Sequence, residues 1–235
     1  MDRLVINIPS RTLWVYEGDR IAHWFPVGVG RPGFMTPLGN YSVIRKVVNP
    51  IWEHPYKSAG AVRIRPGAAN PLGTRWIGFQ QYKGGEFGIH GTDNPGSVGR
   101  FVSHGCIRMK TPDAEDLFNR ITVGTPVEIR YDLAVIRQHG DKVRIATYRD
   151  ALGRGKWSVA DVKKRIAEQF PNAVVDDAAI AAALANPREQ YVEVGLVDPP
   201  EPKLRGADTL AKDVPEAATE GVSVTEAAVT EKQEP

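Results

Sequence analysis

The feature that most restricts this chain is the rhythm of its first 130 residues. Short runs of alternating or β-branched residues are cut off again and again by glycine and proline, and helical periodicity is nearly absent. That pattern predicts a mostly β domain, because a half-buried strand repeats every second residue and needs a turn to end it. Strands are expected over residues 4–8, 12–16, 21–29, 41–48, 75–81, 87–90 and 127–131, with Glu17-Gly18-Asp19 as a hairpin turn. One short helix is expected over residues 112–120. Thr111 would cap it, Pro112 suits the first turn, and Asp113, Glu115 and Asp116 favour its positive end.

After Tyr131 the character changes. Residues 142–148 alternate as a strand does, Ser158 and Asp161 frame a helix start, and Val162, Ile166 and Phe170 recur at helical spacing until Pro171. A second, alanine-rich helix follows over residues 176–185, then a strand over 191–194. The expected organisation is a β domain over residues 1–131, a small α/β accessory unit over 132–198, and a tail over 199–235. The tail is expected to be disordered, since it holds no aromatic residue and little large apolar surface.

Charge excludes little and directs little. The chain carries a net +2, but residues 206–235 hold seven acids and two lysines, a net −5 that leaves +7 on the rest. A mildly basic body suits a carboxylate-bearing polymer, and nothing in it calls for nucleic acid. No run of about 18 apolar residues occurs, so no membrane span is expected, and no charged-then-apolar leader precedes the first strand. A single cysteine rules out an intramolecular disulfide.

Gly28-Val29-Gly30-Arg31-Pro32-Gly33 spells the dinucleotide fingerprint G-x-G-x-x-G after an expected strand. The fingerprint works only when its third glycine opens a helix whose N-terminus holds a pyrophosphate. Phe34-Met35-Thr36-Pro37-Leu38-Gly39 cannot continue such a helix, so nucleotide binding is rejected.

The reactive residue types gather between His90-Gly91-Thr92 and Ser103-His104-Gly105-Cys106-Ile107-Arg108. A lone cysteine is most often a small buried hydrophobe. Its polar neighbours, and a glycine just ahead of it that allows a sharp turn, suit an exposed nucleophile better. A thiol needs a base or a positive field to react at neutral pH, and His90 or His104 would supply one. His104 lies two residues from Cys106, on the same face if the segment is extended, whereas His90 needs a neighbouring strand to bring it close. The Gly105 and Cys106 N–H groups would meet a developing oxyanion. A zinc site is the competing chemistry, with His90, His104 and Cys106 as ligands and His54 or His23 as a fourth.

These segments, in order with Pro26-Val27-Gly28-Val29-Gly30, Thr36-Pro37-Leu38-Gly39 and Asn70-Pro71-Leu72-Gly73, resemble the catalytic domain of the L,D-transpeptidases, the YkuD-type enzymes of the bacterial cell wall. The resemblance spans roughly residues 4–131 and implies a β-sandwich with one short helix. It implies that Cys106 is the nucleophile, His90 the general acid and base, the Gly91 carbonyl the group that orients its ring, and the Gly105 and Cys106 N–H groups the oxyanion hole. His104 would brace the loop, and Ser103 and Arg108 would meet the substrate, Arg108 through a carboxylate. The implied reaction joins peptidoglycan stem peptides through a thioester, without cofactor or metal, outside the cytoplasmic membrane. Hydrolysis of the same thioester, or a non-catalytic wall-binding module, are the alternatives. The resemblance does not reach the accessory unit or the tail.

Overall fold

The computed structural model describes residues 3–54 and 62–197. Its strands are β1 (Arg3–Asn7), β2 (Thr12–Glu17), β3 (Arg20–Pro26), β4 (Val29–Gly30), β5 (Gly39–Ser42), β6 (Arg45–Val48), β7 (Trp52–Glu53), β8 (Arg63–Ile64), β9 (Arg75–Tyr82), β10 (Gly85–His90), β11 (Phe101–Ser103), β12 (Ile107–Arg108), β13 (Pro126–Arg130), β14 (Ala134–His139), β15 (Lys142–Thr147), β16 (Ala173–Val175) and β17 (Tyr191–Val197). The helices are α1 (Thr111–Arg120), α2 (Val159–Gln169) and α3 (Asp177–Ala185).

Two sheets share the main core. One runs β3-β2-β1-β13-β5 and the other β12-β10-β9-β6. Alternation decides which residues go inside: Leu4, Ile6, Leu13 and Val15 from the first sheet meet Ile77, Phe79, Ile89 and Ile107 from the second, and Leu117 of α1 joins the same cluster. Each such side chain contributes roughly 1.5–3 kcal/mol by leaving water. This is the sandwich expected of the first 131 residues, with one helix.

Two expected strands are broken by topology. The 41–48 segment divides because β5 pairs with β13 in one sheet while β6 pairs with β9 in the other, so the chain changes sheets at Val43 and Ile44. The 21–29 segment ends at Pro26; Gly28 then bridges to Arg108, and Val29 and Gly30 pair with β11. Close approach also explains the glycines of the false fingerprint. A Cβ on Gly28 would lie 2.6 Å from the Ser97 carbonyl oxygen, and one on Gly30 would strike the Phe34 and Thr36 backbone. Protein backbone, not a pyrophosphate, fills the space those glycines leave.

The helix cap differs from expectation. Thr111 is the first helical residue, Lys110 stands at the cap without a side-chain bond, and the Thr111 hydroxyl turns instead to the Thr92 carbonyl at 3.2 Å. Helix α1 thereby braces the segment that follows His90.

Residues beyond 131 build a second core around Ile136, Val143, Ile145, Val162, Ile166, Ile180 and Val194. Its sheet runs β14-β15-β17-β16. Ser158 and Asp161 form a reciprocal capping box at α2, and Asp176 caps α3. The two cores lie in one compact unit. Buried Asn7 joins them: its Nδ2 donates to the Asp132 carbonyl at 3.0 Å and its Oδ1 accepts from the Asp132 N–H at 2.8 Å. Tyr131 adds a 2.6 Å bond from its hydroxyl to Asp150. The expected tail lies outside the described residues.

Candidate active site

Strands β10 and β12 run parallel, pairing Ile89 with Ile107 and His90 with Arg108. Cys106 immediately precedes β12, so this register brings it level with Gly88, two residues from His90 on the same strand. The thiol donates toward the Glu86 carbonyl at 3.9 Å and is also reached by the Gly88 backbone. His90, which needed a neighbouring strand to come near Cys106, thus lies on the strand beside it.

His90 is buried, and its Nδ1 lies 2.5 Å from the Gly91 carbonyl oxygen. A carbonyl only accepts, so Nδ1 carries the proton and a neutral ring keeps its lone pair on Nε2. Gly91 is itself pinned: a Cβ there would meet the Thr111 hydroxyl at 2.9 Å, and Gly73 packs directly behind it. Gly73 belongs to the Asn70-Pro71-Leu72-Gly73 turn, held by fully buried Asn70, whose Nδ2 donates to the Pro50 carbonyl at 2.8 Å.

Burial pushes His90 down to about 4, opposed by its Gly91 bond and helped by the nearby Arg108 charge. Burial likewise pushes the Cys106 thiol up, against the Gly88 hydrogen bond and Arg108. Both shifts favour the neutral forms at neutral pH, a thiol on Cys106 and a neutral imidazole on His90.

The Ser103–Arg108 turn bends sharply at Gly105. Gly105 has φ +110°, a conformation that L side chains resist, and a Cβ there would lie 2.5 Å from Phe87 Cε1. The segment is consequently not extended, and His104 does not share a face with Cys106. His104 accepts instead from Arg31 at 3.0 Å and meets the Phe34 ring edge-on at 4.6 Å, which ties the nucleophile turn to the 31–34 loop. Ser103, expected at the substrate, is buried; its hydroxyl donates to the Cys106 carbonyl at 2.5 Å and accepts from the Gly105 N–H at 3.1 Å. Its donor is engaged inside the turn. The same bond engages the Gly105 N–H, expected in the oxyanion hole.

Arg108 has no carboxylate partner among the described residues, and its charge reaches His90, His104 and Cys106. His54 lies within electrostatic range of His104, while His23 and His139 sit on β3 and β14 away from the cluster. Among the described residues no group of three His, Cys, Asp or Glu is placed to hold a metal, so the zinc set does not assemble.

Sequence reasoning passed over Trp76 and Glu86. Trp76 stacks on His90 with ring centroids 5.6 Å apart. The available signal was the pair Gly78 and Gly88, glycines inside strands that mark close approach by something large.

The family model for the L,D-transpeptidase catalytic domain, YkuD, matches residues 1–129. The chain belongs to the L,D-transpeptidase catalytic domain family. It is 38% identical over 132 residues to YqjB of Bacillus subtilis (strain 168), covering 55% of this chain and 71% of that protein. It is 32% identical over 127 residues to YkuD of Bacillus licheniformis, covering 54% and 64%. Both relatives carry L,D-transpeptidase names. Among solved structures, the L,D-transpeptidase from Mycobacterium smegmatis aligns at 21% identity and TM-score 0.43, covering 54% of this chain and 57% of that one. The family match ends at residue 129, ahead of the second core.

Proposed function

We propose that this protein is a peptidoglycan L,D-transpeptidase working through a Cys106 thioester. The observation that carries the reading is the buried His90, locked by Gly91 into the tautomer that leaves Nε2 free, on the strand beside the only cysteine of the chain. Family membership supplies the substrate class, peptidoglycan stem peptides.

In the proposed cycle Nε2 takes the thiol proton as sulfur attacks the carbonyl between the third and fourth residues of a donor stem. The Cys106 N–H faces the resulting oxyanion. The tetrahedral carbon then expels the amine of D-alanine, which receives the proton from Nε2 and leaves a thioester on Cys106. An amine of a second stem attacks that thioester; its proton passes through Nε2 to the departing thiolate, which restores the resting pair. Arg108, without a carboxylate partner among the described residues, is positioned for a carboxylate of the stem. The proposed place of action is the cell envelope.

The test is incubation with a disaccharide tetrapeptide followed by product analysis. Cross-linked dimers and free D-alanine, both lost in Cys106→Ala, are expected. Shortened monomers alone would make the protein a carboxypeptidase, and binding without any product would make it a wall-binding module.

A further inference from the structure

Trp76 on β9 is the cross-strand partner of His90, and its indole lies within 18° of parallel to the imidazole. The indole is itself anchored. Its Nε1–H donates to Glu86 Oε1 at 2.8 Å, and Glu86 Oε2 pairs with Arg45 at 2.9 Å. The strand backbone is cleared to admit this assembly: a Cβ on Gly88 would lie 2.6 Å from Trp76 Cζ2, and one on Gly78 would strike the Glu86 carboxylate. Glu86 also offers its backbone carbonyl to the Cys106 thiol, so one residue touches both the anchor and the nucleophile.

We propose that Trp76, held by Glu86 and Arg45, is a positioning residue for the thiol-to-imidazole proton transfer. Its π face fixes the plane of the His90 ring and stabilises the imidazolium that exists only while Cys106 is attacking. When the S–H bond breaks and the Nε2–H bond forms, a buried ring gains a full positive charge. Arg108 is the charged group shown to bear on it, while Glu86 lies on the same strand and Cys106 just ahead of the neighbouring one. Arg108 on β12 opposes the charge, the Cys106 thiolate is consumed as sulfur bonds to the acyl carbon, and the Glu86 carboxylate is already paired with Arg45. The negative face of the indole is the neighbour that favours the cation without itself changing protonation. Burial of the ring makes that contribution larger than it would be in water.

The inference rests on the Cys106–His90 reading. It is tested by the rate of carbapenem acylation, followed by mass spectrometry from pH 3 to 8, in wild-type, Trp76→Phe and Trp76→Leu proteins with thermal melts alongside. Trp76→Leu is expected to acylate about tenfold slower, the size of a partly desolvated cation–π contact. Its acid limb should move to lower pH because the imidazole becomes a weaker base, while Trp76→Phe, which keeps a π face, stays within about threefold of wild type. A merely structural residue would lower the amount of active enzyme and leave the limb in place. Wild-type rate and limb in folded Trp76→Leu overturn the proposal. Should that variant not fold, NMR of His90 decides: its ring protons must resonate upfield through the indole ring current in wild type, less so in Trp76→Phe, and ordinary shifts overturn the proposal. Absence of acylation in wild type would instead overturn the nucleophile assignment, and the NMR arm would still judge the stack.

Discussion

Acidification should destabilise this fold through His90 before its carboxylates protonate. The buried imidazole is held to about 4, against 6.5 for an ordinary histidine. Between those values the unfolded chain binds a proton that the folded chain refuses, so the unfolded state gains as pH falls. The stabilisation is fully present above pH 6.5 and declines by about 1.4 kcal/mol per pH unit, reaching a loss of about 3 kcal/mol near pH 4. For a chain of this size that corresponds to a drop in Tm of roughly 6–12 °C. The assay is urea unfolding at intervals from pH 4.5 to 7.5 for wild type and His90→Gln, which keeps a polar side chain but cannot titrate. His104, also held below its ordinary value, is present in both proteins and cancels in the comparison. The wild-type curve should fall more steeply by about 1 kcal/mol per unit. Parallel curves, or an NMR titration of His90 near 6.5, would refute the reasoning.

Gly105→Ala should slow acylation of Cys106 more than tenfold, because it costs about 1–3 kcal/mol in backbone strain and presses on Phe87; carbapenem kinetics beside a melt would show it. Alkylation of Cys106 by iodoacetamide should rise with pH without a shoulder below pH 6, since burial keeps the thiol protonated, and a shoulder there would reveal a preformed thiolate pair. Asn7→Leu should lower stability by about 1–3 kcal/mol in urea, because it removes the side-chain partner of both the part-buried Asp132 N–H and the Asp132 carbonyl at the junction of the two cores.

The strands legible from sequence were those whose two faces differ. Residues 12–16 alternate cleanly because Leu13 and Val15 face the core while their neighbours are more exposed, whereas in residues 4–8 Leu4 and Ile6 join the main core and Val5 and Asn7 are buried as well. The chain's change of sheet at Val43 left no such trace, since both halves of the segment keep strand-like residues and only the partner changes. At the site, Cys106 and His90 were legible as reactive types, but their placement on neighbouring segments was not, because it depends on the parallel pairing of β10 with β12 across sixteen residues of sequence. Whether His104 shares a face with Cys106 was not legible, because that held only for an extended segment and the positive φ of Gly105 bends it. Trp76 was invisible as a functional residue because an aromatic in a strand is ordinarily core, and only its cross-strand register sets it against His90.

The central claim is that Cys106 is the nucleophile and His90 its base, and one measurement meets it directly. Trypsin cleavage after Arg100 and Arg108 isolates Cys106 in an eight-residue peptide, so mass spectrometry after exposure to a carbapenem can place an adduct unambiguously. A single adduct on that peptide, absent in Cys106→Ala and formed far more slowly in His90→Gln, is the predicted result. No adduct, or one formed equally fast without His90, would contradict it.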